Sequence, residues 1–281
     1  MQQHIVLSDT TTVQYWTHHP NKRPIIVMIH GFTGSHEGFQ YIEPLLANYR
    51  LIIPDLPGFG ASTIGRDDWS IDALARLLND FVAALELKEP PYLMGHSMGG
   101  LVVSSMLAQA ARGLYHKKSI LLSPVPTAIR YNDSRRPGAI LGALQYRLGA
   151  RAGKAGEGIV KSRTISRALT NFIMTTSDRQ LREQIHRHHF KNLDYISSIE
   201  FYSKIYTDIN RRGAIDYIDG LKRHRLLLMT GDADSVTPLR EQKKLINAAT
   251  PERVVVIKGV GHLAHYERSS EVATAIRQFI G

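Results

Sequence analysis

The chain has 281 residues, 43% of them hydrophobic and 21% charged, with a formal net charge of +10 and no cysteine. Those totals describe a globular chain able to bury a sizeable core, and they exclude disulfide scaffolds, thiolate metal sites and thiol catalysis. No apolar run approaches the roughly 20 residues that span a bilayer, and "MQQHIVLSDTTT" has no basic start followed by a long apolar segment, so a cytoplasmic protein without a secretory signal is expected.

"HIVLSDTTTVQYWTH" predicts two strands around a polar turn. Pro24–Phe32, "PIIVMIHGF", is a continuous apolar run that stops at glycine, as a strand buried on both faces would. "EGFQYIEPLLANY" reads as a helix flawed at Pro44, and "RLIIPDLPGFGAST" as a buried strand running into a Pro/Gly turn. From Ser70 to Leu87 apolar residues recur at helical spacing, with Ser70 placed to cap the first turn. The strand "PYLMGH", a helix over about 98–112 and the strand "KSILLSP" follow. Alternation of this kind suits a parallel sheet covered on both sides. It returns late, with a strand over Arg225–Asp232, the helix "PLREQKKLINAA", the strand "RVVVIKGVGH" and a closing helix "SSEVATAIRQFI".

The middle, 126–214, breaks the alternation. It offers helical patches, "DRQLREQIHRHHF" and "LDYISSIEFYSKIY", and a piece from Gly138 to Gly158 with six glycines. Glycine costs roughly 1 kcal/mol relative to alanine inside a helix. A mostly helical insertion with a mobile, lid-like part is therefore expected. The insertion holds 16 Lys+Arg against 7 Asp+Glu, leaving 19 against 18 elsewhere, so nearly all the excess charge sits there. Such a segment attracts anions, acidic proteins or anionic membrane surfaces.

Gly95-His96-Ser97-Met98-Gly99 fits G-x-S-x-G between a strand and a helix. A very tight turn there strains its central residue and leaves no room for side chains two positions away, so glycine is wanted at both flanks. Ser97 is thereby presented at the carboxyl end of the sheet, over the N–H groups that open the next helix. A serine hydroxyl needs a base, and the base needs a carboxylate. Among 13 histidines, His262 in "GVGH" follows the last strand at the same sheet edge. His30, His96 and His265 are expected to shape loops around the site. The carboxylate is expected after "LLLMTG", at Asp232 or Asp234, the other serving a turn. An oxyanion needs preorganised donors, here the N–H of Met98 and the N–H of Phe32 after "IVMIHG".

On "HGFTGSHEGF", "IIPDLPGFGAST", "GHSMGG", "TGDADSVTP" and "GVGHLAHYE", in the order Ser–Asp–His, the chain resembles the α/β-hydrolase superfamily. The resemblance covers essentially everything outside the insertion. It implies an α/β fold: a mostly parallel eight-stranded sheet with helices on both faces, a core of 1–125 and 215–281, and a helical cap over 126–214. It matches Ser97 to the nucleophile, His262 to the base, and Phe32 and Met98 to the oxyanion hole. The family's acid stands three residues after the glycine and four before the proline, which selects Asp234. No cofactor and no metal is implied. Ser97 argues against haloalkane dehalogenases and epoxide hydrolases, whose nucleophile is an aspartate. "GHSMGG" is similar to monoglyceride lipases and many carboxylesterases. "HGFTGS" with "DLPGFG" is similar to the menaquinone-pathway synthase family, which carries an arginine soon after its nucleophile, where this chain has Leu101 and Val102.

The expected function is that of an esterase or a monoacylglycerol-lipase-like enzyme, hydrolysing carboxylic esters through a Ser-His-Asp triad and an acyl-enzyme, with a small-molecule acyl ester as substrate. Ile140, Leu141, Leu144, Tyr146, Phe172, Ile173, Phe201 and Tyr202 are candidates for an acyl pocket or for the cap's own core. An alternative is a methyl ester esterase or thioesterase that docks an acidic acyl carrier protein on the basic residues from Arg135 to Arg167, as pimeloyl-carrier relatives are thought to. A C–C bond hydrolase and a hydrolase-like binding protein use the same residues. The basic charge is not interleaved with aromatics, so no nucleic-acid partner is expected. His186, His188 and His189, spaced i, i+2, i+3, do not share one helix face and are not read as a metal site.

Overall fold

The computed structural model describes residues 2–65, 69–128, 144–146, 148, 149, 151 and 154–281, with backbone alone at 154 and 155. Its centre is an eight-stranded sheet in the order β1-β2-β4-β3-β5-β6-β7-β8. The strands are β1 (Gln2–Ser8), β2 (Thr11–His18), β3 (Ile25–Ile29), β4 (Arg50–Pro54), β5 (Tyr92–His96), β6 (Lys118–Leu122), β7 (Arg225–Gly231) and β8 (Arg253–Ile257). β2 pairs antiparallel with β1 and β4, and every later pairing is parallel. The unbroken apolar runs have the cause inferred for them. Along β3, Ile25, Val27 and Ile29 enter one core while Ile26 and Met28 enter the other. A strand buried on both faces has no polar side to alternate.

Helices α1 (Ile71–Ala84) and α2 (Met98–Gln109) cover one face, and the last helix, Ser269–Ile280, covers the other. Ser70 caps α1 by accepting the N–H of Ala73. The "EGFQYIEPLLANY" segment forms two short 3₁₀ turns, His36–Phe39 and Pro44–Leu46, instead of a helix. Pro44 has no N–H to donate into a longer helix. In "IPDLPGFG", the Asp55 carboxylate is buried and accepts the N–H groups of His36 and Ala61. That ties the loop after β3 to the loop after β4.

Between β6 and β7 lie α3 (Lys154–Val160), α4 (Arg163–Ile173), α5 (Arg179–Asp194) and α6 (Ile199–Arg211), before the short α7 (Ile218–Leu221). "LDYISSIEFYSKIY", read above as one patch, is divided between α5 and α6. Ser198 terminates the continuity by capping α6 through the N–H of Phe201. The glycine-rich piece also differs from expectation where it is described. Gly156 and Gly158 sit inside α3, and a Cβ on Gly156 would stand 1.8 Å from the Gly149 carbonyl oxygen. The glycine there permits close packing instead of fraying the helix. Positions 138–143, 147, 150, 152 and 153 of the proposed lid, Ile140 and Leu141 among them, lie outside the described residues.

The chain leaves and rejoins the core at one crossing. Ala214 N–H donates to Val125 O and Ile215 N–H to Pro126 O, with Gly213 packed on Thr127. Beside it, the Asp72 carboxylate at the start of α1 accepts from Ser105 (2.6 Å), Tyr217 (2.7 Å) and Arg212 (2.7 Å). Burial alone raises a carboxyl pKa, but these hydrogen bonds and the Arg212 charge leave Asp72 below its ordinary value. Asp72→Ala is expected to cost about 1–3 kcal/mol by stranding its donors, seen as a lower midpoint in urea unfolding.

Candidate active site

Ser97 lies between β5 and α2 with φ 55° and ψ −120°, a left-handed conformation that costs a non-glycine residue about 1–3 kcal/mol. The flanking glycines are required by contact. A Cβ on Gly95 would meet the Gly99 oxygen at 2.3 Å, and one on Gly99 would meet the Ile29 oxygen at 2.2 Å. The corner is held by Ser97 N–H donating to Leu122 O and by Val125 N–H donating to Ser97 O. Strand β6 thus clamps the turn that β5 feeds.

His262 follows β8 and Asp234 follows β7. His262 Nε2 lies 2.8 Å from Ser97 Oγ, and its Nδ1 lies 2.8 Å from Asp234 Oδ2. The arrangement assigns Nδ1–H as donor to the carboxylate and Nε2 as acceptor of the serine proton. Asp234 is buried and also accepts the N–H groups of Val236 and Thr237 and the Thr237 hydroxyl. Burial pushes its carboxyl up, yet His262 and the Thr237 donors outweigh this and hold it at about 2. Asp232 instead accepts Gly259 N–H and closes the neighbouring turn.

Phe32 follows β3, beside Ser97, because Gly31 lets the two chains touch; a Cβ there would stand 3.1 Å from Ser97 Cβ. Neither Phe32 N–H nor Met98 N–H donates to another group among the described residues. The Phe32 ring is wedged edge-on against Phe59, Tyr146 and Tyr202, which fixes the backbone it belongs to.

The other histidines around this centre each have their own partners. His30 donates Nδ1–H to Gly31 O and accepts Leu56 N–H at Nε2, joining two loops. His96 donates Nε2–H to His262 O, and His265 packs against the His96 ring. His186 meets Asn171, His188 meets Gln40 and His189 meets Thr170, three separate partners. No group of three His, Cys, Asp or Glu is placed to hold a metal ion among the described residues.

Several residues carry the site without any motif to announce them. Gly261 N–H donates to Thr175 Oγ1, while Thr175 N–H and its hydroxyl both donate to the buried Glu267 carboxylate. The α4–α5 connection is thereby fastened to the loop bearing His262. A cavity of about 110 Å³ holds Ser97 and His262, and an adjoining one of about 150 Å³ is lined by Tyr146, Leu169, Leu193 and Tyr206. Of the candidate acyl-lining residues, Tyr146 and Ile173 reach these cavities. Leu144 and Phe172 face outward, and Phe201 and Tyr202 are core residues around Phe59. Helical spacing shows that residues share a face, but not what that face meets.

Residues 24–269 match the family described as alpha/beta hydrolase fold. The chain belongs to the α/β-hydrolase family. It is 27% identical, over 95% of its length and 93% of the relative's, to an uncharacterized hydrolase, YugF, of Bacillus subtilis (strain 168). A shorter stretch of 103 residues, 36% of this chain and 39% of the relative, is 36% identical to a pimeloyl-[acyl-carrier protein] methyl ester esterase of Aeromonas hydrophila. Among solved structures, the esterase EaEST from Exiguobacterium antarcticum superposes with a TM-score of 0.80 at 18% identity, covering 100% of this chain and 99% of that one, a likeness of fold. No described helix is long and apolar enough to cross a membrane.

This hydrolase surrounds its serine with neutral imidazoles. Burial, with His262 adding to it, takes His96 down to about 3. Burial brings His189 to about 4 and lowers His30 and His265. Below about pH 6.5, the ordinary imidazole value, the unfolded chain binds protons that the folded chain refuses. Stability is therefore complete above that pH and lost as pH falls toward the depressed values. Acidification from about pH 6.5 to 5 is expected to lower the unfolding free energy, read from urea unfolding, by up to about 1.4 kcal/mol per histidine per pH unit. A His265→Leu variant, with one histidine fewer, is expected to show a shallower fall.

Proposed function

We propose that this protein is a serine hydrolase that cleaves carboxylic esters through an acyl-enzyme. The observation that carries the reading is the continuous chain from Ser97 Oγ through His262 to the buried Asp234, with 2.8 Å at each link. Ser97 Oγ attacks the ester carbonyl as His262 Nε2 takes its proton. The oxyanion rests on the N–H groups of Phe32 and Met98. His262 returns the proton to the departing alcohol, and water repeats the sequence to release the acid. Asp234 stays ionised, orients the imidazole and offsets its charge. The segment 126–214 acts as a cap on a core of 1–125 and 215–281. Supporting this are Asn192 bonded to Ser35, Tyr41 to Gln184 and Lys191 to Glu37, each joining α5 to the loop after β3.

With p-nitrophenyl butyrate, Ser97→Ala is expected to lower kcat by about 10⁴–10⁶-fold with little change in KM. A fluorophosphonate is expected to label the wild type once, at Ser97, and not the variant. A wild type that stays unlabelled would reduce the protein to a binding module.

The similarity to a carrier-protein methyl ester esterase favours one second reading, in which the basic cap docks an acidic carrier protein. Arg151 and Arg163 are described without acidic partners, whereas Lys161 pairs with Glu157 and Arg167 with Glu183. Arg135, Arg136 and Arg147 lie outside the described residues, as does the Lys154 side chain. The same surface suits an anionic membrane. Turnover of a carrier-linked ester is expected to fall about tenfold or more from 50 to 500 mM salt while that of a butyrate ester holds. Equal salt dependence of the two would remove this reading.

A further inference from the structure

The imidazole of His262 reaches Ser97 from a loop, and a base that stands about 1 Å out of place loses on the order of 100-fold in rate. Asp234 holds the ring at Nδ1. The backbone that carries the ring is held as well. His262 O accepts His96 Nε2–H at 3.1 Å. On the other side of His262, the Val260–Gly261 peptide group is bonded at both ends. Its carbonyl accepts the N–H of Ala233, the neighbour of Asp234 in the chain, at 3.1 Å. Its N–H donates to Thr175 Oγ1, also at 3.1 Å. Asp234, His96 and Ala233 belong to the α/β framework, whereas Thr175 comes from the insertion between β6 and β7. Glycine at 261 makes that contact possible, since a Cβ there would stand 2.7 Å from Ile173 O and 3.1 Å from Thr175 Cγ2.

Thr175 is aimed at this N–H by a second set of bonds. Its own N–H donates to Glu267 Oε1 at 3.0 Å, and its hydroxyl donates to Glu267 Oε2 at 2.6 Å. A hydroxyl has one proton. With that proton on the carboxylate, only lone pairs are left for Gly261. Glu267 is buried and ends the short helix Ala264–Glu267 that follows His262. Thr175 therefore ties the segment before the base to the segment after it. We propose that Thr175 is a positioning residue for the reaction: its hydroxyl, oriented by Glu267, fixes the backbone at Gly261 and so keeps His262 Nε2 within proton-transfer distance of Ser97. Thr175 lines neither cavity at the site, but Ile173, in the same stretch, lines both. One connection of the insertion thus shapes the pocket and holds the base. Without the hydroxyl, the buried Gly261 N–H loses its acceptor, and the loop relaxes around the anchors that remain. Thr175 itself is exposed, so exchanging it for the isosteric valine leaves the core packing intact.

The inference rests on the ester-hydrolase reading, and one experiment separates the two. kcat and KM for p-nitrophenyl butyrate are measured for the wild type, Thr175→Val and Thr175→Ser. Active sites are counted with a fluorophosphonate, so that unfolded protein drops out of kcat. Thr175→Val is expected to lower kcat by about tenfold with KM within about twofold of the wild type. Acylation and deacylation both use the base, so either as the slow step reports the loss. Thr175→Ser, which keeps the hydroxyl, is expected to bring kcat back to within about threefold. In a double-mutant cycle, Glu267→Gln is expected to add little to Thr175→Val, because both act through one bond. A valine variant with wild-type kcat, a serine variant as slow as the valine one, a loss confined to KM, or additive losses in the cycle overturns the assignment and leaves the ester-hydrolase reading standing. A wild type that neither cleaves the ester nor takes up the label overturns both.

Discussion

The arrangement depends on one backbone dihedral. Ser97 is held at φ 55°, where a residue with a side chain does not rest unaided. The strain persists because packing leaves no alternative. Gly95 and Gly99 bring β5, α2 and the end of β3 within contact distance, and β6 binds the serine's own N–H. The same closeness that strains the serine sets Gly31 against it and brings Phe32 N–H to the same rim. Relaxing the corner would dissolve the position of the proposed nucleophile and of the proposed oxyanion donors together.

Around that corner the electrostatics are arranged by burial. The Asp234 carboxylate is kept charged by four donors, one of them His262. The other imidazoles nearby are driven neutral by desolvation, so they shape loops without competing as cations. Uncompensated charge in such a place would cost several kcal/mol. The result is a site with one directed proton path and otherwise neutral walls.

The insertion between β6 and β7 is fastened to the core at points that matter for this site. Asp72 gathers Arg212 and Tyr217 where the chain returns, and Glu267 holds Thr175, which in turn receives Gly261 N–H. The second fastening is adjacent in sequence to His262. The α4–α5 connection and the loop bearing the proposed general base are therefore joined by hydrogen bonds.

The sheet was legible because strands buried on both faces read as unbroken apolar runs, as in Ile25–Ile29 and Arg225–Gly231. The Ser97 and His262 positions were legible because each sits at a strand end marked by glycine, a local signal of backbone that must turn sharply, whereas the same signal left Asp232 and Asp234 open and the family resemblance chose between them. The break at Ser198 and the 3₁₀ turns around Pro44 depended on capping and missing donors, which periodicity does not register. The acyl-lining residues were only partly legible: Tyr146 and Ile173 reach the cavities, while Phe201 and Tyr202 go to the core. Thr175, Glu267 and Asn192 belong to no motif. Their contacts span 86 to 157 positions of chain, such as Thr175 with Gly261 and Ser35 with Asn192. The chain's order of residues by itself determined the α/β framework and its nucleophile corner, since both are consequences of local sterics and of which faces avoid water. Only tertiary structure decided which polar groups line the cavity and which hold its walls, because hydrogen-bond partnership between distant segments exists only once they have been brought together.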